Sequence, residues 1–207
     1  MLYLSPILIC ISLNVLILIA VSSLSKKNIS LNKASVISIS IILAIANFIS
    51  MTFGKLLSIY LFKSYSSLFG GVLLLFIGIY YLMEHKKNME YNHGLDTSFY
   101  YDAFPKCRHL LLTPSLIDKN NSNCIEINES IFISLPLSIY SIGIFFAAGI
   151  ASVSIPVTIL LVFISSSLFL SITSYRKNIY SDSIFKTHSL AIIGALLLIT
   201  GILEMFI

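Results

Sequence analysis

The residues best suited to chemistry lie in one polar stretch near the middle of the chain, DKNNSNCIEINE at residues 118–129. In the loop template D-x-[DN]-x-[DN]-G-x5-E, oxygen ligands come from alternate residues, from a backbone carbonyl and from a final glutamate. Such spacing wraps oxygen atoms around a hard cation. The corresponding ligand positions here are Asp118, Asn120, Ser122, Cys124 through its carbonyl, Glu126 and Glu129.

Two interpretations of this loop remain open. Asn123 stands where the template has glycine, and asparagine tolerates a positive φ better than most residues, so the required turn is weakened but retained. The loop therefore predicts a site for Ca²⁺ or Mn²⁺. Against this, it has only three carboxylates, and polar, Asn-rich loops match such templates by accident.

A second group of candidate residues consists of polar side chains within long apolar segments, namely Asn14, Asn47 and Tyr140. Ionisable residues at membrane depth mark ion or proton pathways, yet the centres of these segments contain no carboxylate. Asn14 and Asn47 could offer carbonyl oxygens to an ion, or they could simply form hydrogen bonds between helices. No resident cofactor is predicted beyond the candidate cation.

The remaining metal-ligand types are the histidines and cysteines around residues 84–129. They match no zinc pattern, and we predict that this segment is a solvated connector. The three cysteines are an odd number and are predicted to be free thiols. The residues concerned are His85, His93, Cys107 and His109, with Cys10 and Cys124 as the other two cysteines.

The elements that must position these residues are transmembrane helices. The 207 residues are 57% hydrophobic and 11% charged, with a mean hydropathy of +0.95, which is too apolar for a soluble domain. A helix needs about 20 apolar residues to cross a bilayer. The uncharged runs 1–25, 34–54, 64–83, 130–175 and 189–203 predict six helices, if the long run turns at residues 151–156.

The charge distribution predicts the orientation of these helices. Six crossings place the loops 24–33, 84–129 and 175–188 on one side, and these loops contain 11 of the 13 lysines and arginines. Because basic loops stay in the cytoplasm, we expect both termini outside and the connector inside. The net charge of +4 requires no nucleic-acid partner. An enzyme is not predicted, since the helices lack H-E-x-x-H and any aspartate pair.

An internal repeat divides the chain into halves at residues 1–83 and 130–207, joined by the connector 84–129. GVLLLFIGI from Gly71 and GALLLITGI from Gly194 are separated by 123 residues. Halves of three helices each must enter the membrane in opposite directions, which gives an inverted repeat typical of secondary transporters. The alternative is an old duplication in which the repeated glycines serve only in helix packing. The small residues Gly143, Ala147 and Ala151 also predict a close helix contact.

The segment 114–130, PSLIDKNNSNCIEINES, and the following LSIYSIG resemble the YtaF branch of the MntP-type manganese exporters. That branch reads P-x-x-x-D-x-D-x-S-G-x-I-x-x-x-E-A in the connector and A-L-S-[LI]-D-[AS]-F-G-A-G in the fourth helix. Pro114, Asp118, Ser122, Ile125 and Glu129 match position for position. The first predicted helix, with ISLNVL, and the next one, with FISMTFG, also resemble this family.

The resemblance implies a sporulation-associated membrane protein related to divalent-cation efflux transporters, in the plasma membrane or a spore membrane derived from it. Where the family has an aspartate in its first and fourth helices, this chain has Asn14 and Tyr140. The neutral residues cannot offset a divalent cation in a low dielectric. The alternative function is therefore a transport-inactive structural or partner-binding membrane protein with a peripheral cation-binding loop.

Overall fold

The structure is a computed structural model that describes residues 4–26, 29–61, 65–92, 124–175 and 183–206. The elements in these ranges are six long helices and two short strands. They are α1 (Leu4–Lys26), β1 (Ser30–Leu31), α2 (Lys33–Leu61), α3 (Ser66–Asn92), β2 (Cys124–Ile125), α4 (Ile127–Ile150), α5 (Ile155–Tyr175) and α6 (Ser183–Met205). All six helices are long and apolar enough to cross a membrane, which confirms the predicted number of helices among the described residues.

The observed helix ends extend the predicted spans. Helix α3 continues to Asn92, so Glu84 and His85 belong to a helix and not to the connector, where we expected them. The sequence after Met83 is charged but rich in good helix formers. Helix α3 can therefore continue beyond the apolar segment with its backbone hydrogen bonds intact.

The predicted break in the long apolar run is confirmed at residues 151–154. Helix α4 ends in a Schellman turn, in which the Ser152 amide donates to Gly149 O at 3.1 Å and the Val153 amide donates to Ala148 O at 3.1 Å. Ser152 has a φ of 63°, the left-handed conformation that this turn requires. Helix α5 then begins at Ile155, one residue before Pro156, where the missing proline N–H would have had no helical partner.

The helix packing pairs each element chiefly with helices from the other part of the chain. The two most extensive contacts join α2 to α4 and α3 to α6, while α1 packs against α5 and α6. Helix α2 also packs against α5, and α3 against α4. The connector therefore joins two parts that interleave in one bundle.

Glycines set the close approach of α3 and α6. A Cβ atom at Gly71 would lie 2.7 Å from Gly201 O, and one at Gly78 would lie 3.0 Å from Gly194 O. Real Cβ atoms essentially never come as close as the first distance. Only residues without a side chain allow the two backbones to meet here, as in other small-residue helix interfaces.

The close contact of α4 lies at a different residue from the one predicted. Gly143 is exposed, and a Cβ there would be 3.7 Å from Ile77 Cδ1, which is ordinary contact. The predicted role of Gly143 is therefore wrong, whereas Ala147 and Ala151 are buried as expected. Gly149 makes the close approach, because a Cβ at that position would overlap the Met51 carbonyl of α2.

A two-residue parallel bridge fixes the start of the α2–α4 pair. Ser30 pairs with Cys124 and Leu31 with Ile125, immediately before the two helices begin. Ile125 is fully buried, and its carbonyl accepts a 2.7 Å hydrogen bond from Ser35 Oγ of α2. Helices α2 and α4 therefore begin at the same end of the bundle and run parallel.

Candidate functional site

A polar seam runs along the α2–α4 interface. On α4 it consists of four buried serines, and on α2 it includes Ser38, Asn47 and Ser50. The α4 serines are Ser130, Ser134, Ser138 and Ser141. Ser130 Oγ lies 3.0 Å from Ser38 Oγ, and Ser50 Oγ donates to the Ile142 carbonyl at 2.7 Å. Two hydrogen-bonded helices thus share a row of buried hydroxyl groups along their interface.

The serine hydroxyls are largely satisfied within their own helix. Ser134 and Ser138 each donate to the carbonyl three residues earlier, at 3.1 and 2.8 Å, whereas the single Ser141 proton is shared between the Ser138 carbonyl at 3.0 Å and Asn47 Oδ1 at 2.7 Å. Such bonds allow a serine to sit in an apolar helix without an unpaired donor. The hydroxyl oxygens remain available as acceptors on the seam.

Asn47, one of the predicted site residues, lies within the polar seam. Its side chain is fully buried, and its Oδ1 accepts a 2.7 Å hydrogen bond from Ser141 Oγ. Within the described parts of the chain, the Asn47 Nδ2 group is buried and has no acceptor. A buried donor without an acceptor costs about 1–3 kcal/mol, and such groups in native proteins call for an explanation.

Asn14 carries a complementary polar atom. Its Oδ1 is shielded from solvent, and no described group donates a hydrogen bond to it. Asn14 lies on α1, which packs chiefly against α5 and α6, whereas Asn47 belongs to the α2–α4 pair. Among its described residues, the bundle thus contains one unsatisfied amide donor and one unsatisfied amide acceptor, on helices from different packing pairs.

Tyr140 lies on α4 next to Ser141 and is partly buried. Its backbone carbonyl accepts a hydrogen bond from Tyr81 Oη of α3 at 3.2 Å. The α4 residues 140 and 141 therefore join α3 on one side and α2 on the other.

The predicted cation loop is only partly described. Asp118, Asn120 and Ser122 lie outside the described residues. Cys124 belongs to β2, and Glu126 is the N-cap of α4. Glu129 Oε2 accepts a 3.2 Å hydrogen bond from the Glu126 amide, which is the glutamate arm of a capping box. The last predicted metal ligand thus also caps a helix.

Within the described ranges, no group of three or more histidine, cysteine, aspartate or glutamate side chains comes together as a metal site. Cys10 and Cys124 are not joined to each other in a disulfide, and Cys107 lies outside the described residues. Cys10 is buried and donates weakly to the Thr158 carbonyl of α5 at 3.7 Å.

The sequence interpretation missed the serines of α4. Their spacing of four residues, from Ser130 through Ser134 to Ser138, places them on one helix face and was readable in the sequence. Serine is common in apolar helices, so the spacing alone did not distinguish a polar seam from scattered residues. The partner helix, which supplies Asn47, was needed to identify it.

Comparison with known protein families, curated proteins and solved structures gives no match to this chain.

Proposed function

We propose that this chain is a multi-pass membrane transporter built from two inverted halves, with its pathway along the α2–α4 polar seam. The observation that carries the proposal is the symmetry of the glycine contacts between α3 and α6. Gly71 faces Gly201 and Met205, while Gly194 faces Gly78 and Leu82. Adding 123 residues to each first-half position, or subtracting 123 from each second-half position, converts one set of contacts into the other.

The second pair of contacts obeys the same exchange. Gly78 meets Gly194 and Leu198, and Gly201 meets Gly71 and Leu75. Each repeated glycine therefore packs against the other copy of its own motif, as expected around a two-fold axis between inverted halves. Secondary transporters with this organisation bind substrate near the midplane between the halves.

The pairing of whole helices supports the same arrangement. Exchanging the halves replaces α1, α2 and α3 by α4, α5 and α6. Under that exchange the α2–α4 contact becomes α5–α1, and α1–α6 becomes α4–α3, and all of these pairs are in contact. The α3–α6 and α2–α5 pairs are each converted into themselves, and both are present.

The polar seam, together with Asn14 of α1, gives this transporter a neutral pathway. Asn47 and Asn14 carry buried amide atoms without partners among the described residues, and Ser141 adds a hydroxyl beside Asn47. The charged residues of the described helices all lie in the first or last third of their helices. Hydrogen-bonding groups without a central carboxylate favour a small polar solute over a bare divalent cation, which needs negative oxygen ligands.

Water access along the seam tests the proposal without knowledge of the substrate. We would place Ser141→Cys in a background with Cys10, Cys107 and Cys124 replaced by alanine and treat membranes with an impermeant thiosulfonate reagent. The control is Ile142→Cys, the next residue on α4, whose side chain is 44% exposed on the outer surface of the bundle. Only a thiolate reacts, and a thiol in lipid or in a dry interface does not ionise.

We expect position 141 to be modified and position 142 to stay unmodified. Complete protection of both positions would contradict a hydrated pathway and favour the second candidate, a transport-inactive structural or partner-binding membrane protein. The observation that favours this second candidate is the neutral pair Asn14 and Tyr140 where the resembling family has aspartates.

A flux measurement tests the manganese transport that the family resemblance implies. In liposomes, we expect the wild-type chain to give little Mn²⁺ flux and the double variant Asn14→Asp/Tyr140→Asp to give more, because each aspartate adds an anionic oxygen ligand to the pathway. Substantial wild-type flux would show that a neutral pathway carries the ion. Absence of flux from both proteins would contradict manganese transport by this chain.

For location and orientation, we propose the plasma membrane or a spore membrane derived from it, with both termini outside. Lys33, Lys86 and Lys87 support this orientation, because they lie at the end of the bundle where α2 begins and the apolar part of α3 ends. Lys55 lies towards the opposite end.

A further inference from the structure

The α3–α6 interface ends in a pair of histidines that the proposed function does not use. The rings of His85 and His188 have centroids 5.5 Å apart, with an angle of 48° between their planes. His85 belongs to α3 and is partly buried, while His188 belongs to α6 and is exposed to solvent. Two imidazoles from different helices thus meet at the basic end of the bundle.

The glycine packing explains why these rings meet. His85 follows Gly78 by seven residues, or about two helical turns, so it lies on the helix face that carries Gly71 and Gly78. On α6, which runs antiparallel, His188 precedes Gly194 by six residues. Because Gly78 packs against Gly194, the rigid backbone contact holds the two histidine positions opposite each other.

One nitrogen of His85 lacks a partner. The Nδ1 atom is shielded from solvent, and none of the described groups forms a hydrogen bond with it. A neutral imidazole carries a proton on one nitrogen and a lone pair on the other, and either group costs free energy when it is buried without a partner. A shared ion would satisfy this atom.

The ring separation fits a shared metal ion. Metal–nitrogen distances for imidazole are about 2.0–2.1 Å, so two rings at a tetrahedral angle around one ion have centroids about 5 Å apart. The observed 5.5 Å is close to this separation. Imidazole nitrogens suit Zn²⁺, Cu²⁺ and Ni²⁺ better than Mn²⁺ or Ca²⁺, which prefer oxygen.

We propose that His85 and His188 together bind one borderline divalent transition-metal ion, such as Zn²⁺ or Cu²⁺, and link α3 to α6 at the basic end of the bundle. No third histidine, cysteine, aspartate or glutamate in the described ranges completes the site. Two tetrahedral positions are therefore left for water or an added ligand. Exposed His188 gives the ion a route from solvent. This site does not depend on transport.

The test uses the purified full chain, stripped of metal, and competition for Zn²⁺ with a chromophoric chelator. We expect one ion per chain, and we expect His85→Gln and His188→Gln each to weaken binding by at least about tenfold, since each removes one of two ligands. The matched controls are His93→Gln and His109→Gln, which should leave the affinity unchanged. Cu²⁺ bound to the wild-type chain should show coupling to two nitrogen nuclei in its electron paramagnetic resonance spectrum.

Wild-type binding no stronger than that of the double variant His85→Gln/His188→Gln would overturn the proposal, as would equal loss in the His93 or His109 variant. If a glutamine variant does not fold, His188→Cys provides the test, because it keeps a metal ligand at the same position. With Co²⁺, this variant should gain a sulfur-to-metal charge-transfer band that the wild-type chain lacks. A folded His188→Cys protein without that band would also overturn the proposal.

Discussion

At the scale of single residues, Glu129 has two competing uses. Its Oε2 atom accepts the Glu126 amide at 3.2 Å, which stabilises the first turn of α4. In the predicted cation loop, the same carboxylate would supply both oxygens to the ion. Cation binding must therefore change or share this capping bond, so the stability of α4 and the affinity of the loop are linked.

We predict that Glu129→Ala lowers the free energy of unfolding by about 1 kcal/mol even in excess chelator, because a capping interaction is lost. Glu129→Gln keeps an acceptor oxygen and should cost less. Thermal unfolding in detergent with EDTA measures the three proteins. Equal stability of all three would show that the cap contributes nothing.

Calorimetry then tests the other use of Glu129. If the 118–129 loop binds Ca²⁺ or Mn²⁺, titration of the wild-type chain releases or absorbs heat that Glu129→Ala reduces. Indistinguishable flat traces from both proteins would exclude the loop as a metal site and leave Glu129 with its capping role.

At the scale of elements, the position of a glycine matters more than its presence in an apolar helix. Gly71 and Gly143 are both glycines of long helices, yet only Gly71 lies where two backbones meet. A Cβ at Gly71 would be 2.7 Å from a carbonyl oxygen that cannot move independently of α6. At Gly143, the nearest atom is the end of an isoleucine side chain at 3.7 Å.

We predict opposite effects for the same chemical change at these two glycines. Gly71→Ala should lower stability by about 1–3 kcal/mol, because α3 and α6 must separate or shift. Gly143→Ala should be neutral or stabilising by up to about 1 kcal/mol, since alanine has less backbone entropy to lose in a helix. Unfolding midpoints in one detergent compare them directly. No loss of stability in Gly71→Ala would contradict the close α3–α6 packing, and a large loss in Gly143→Ala would contradict the open surroundings of Gly143.

At the scale of the whole molecule, the helices form one bundle by interleaving. The most extensive contacts connect the segment 4–92 with the segment 127–206, so each half depends on the other to bury its polar and small residues. Asn47 shows this dependence, since its hydrogen-bond partner Ser141 lies 94 residues away. We expect neither half to form this polar seam when expressed alone.

We predict the orientation of the whole chain in the membrane from its basic loops. Alkaline phosphatase fused after residue 207 should be active, and the same enzyme fused after residue 95 should be inactive, because the basic loops are held in the cytoplasm. A green fluorescent protein fusion at each position should give the reverse result. The opposite pattern at both positions would invert the proposed topology, and equal activities would contradict six crossings.

The six helices follow from hydropathy along the sequence. Runs of about 20 apolar residues are long enough to form helices that cross a bilayer. The six helices and the turn after Ile150 were therefore predictable from hydropathy, proline and small residues. Their ends were less predictable, as α3 shows. A charged segment such as the one after Met83 can leave an apolar layer and stay helical, because its backbone hydrogen bonds are internal.

The contacts between polar residues, by contrast, depend on how the helices pack. Asn47 and Tyr140 were identifiable as polar residues in apolar helices, but their partners depend on helix rotation and pairing, which side-chain periodicity does not specify when a helix is apolar on all sides. The same limit hid the pairing of His85 with His188. Two glycine contacts fix the register of α3 against α6, and that register brings the histidine rings together.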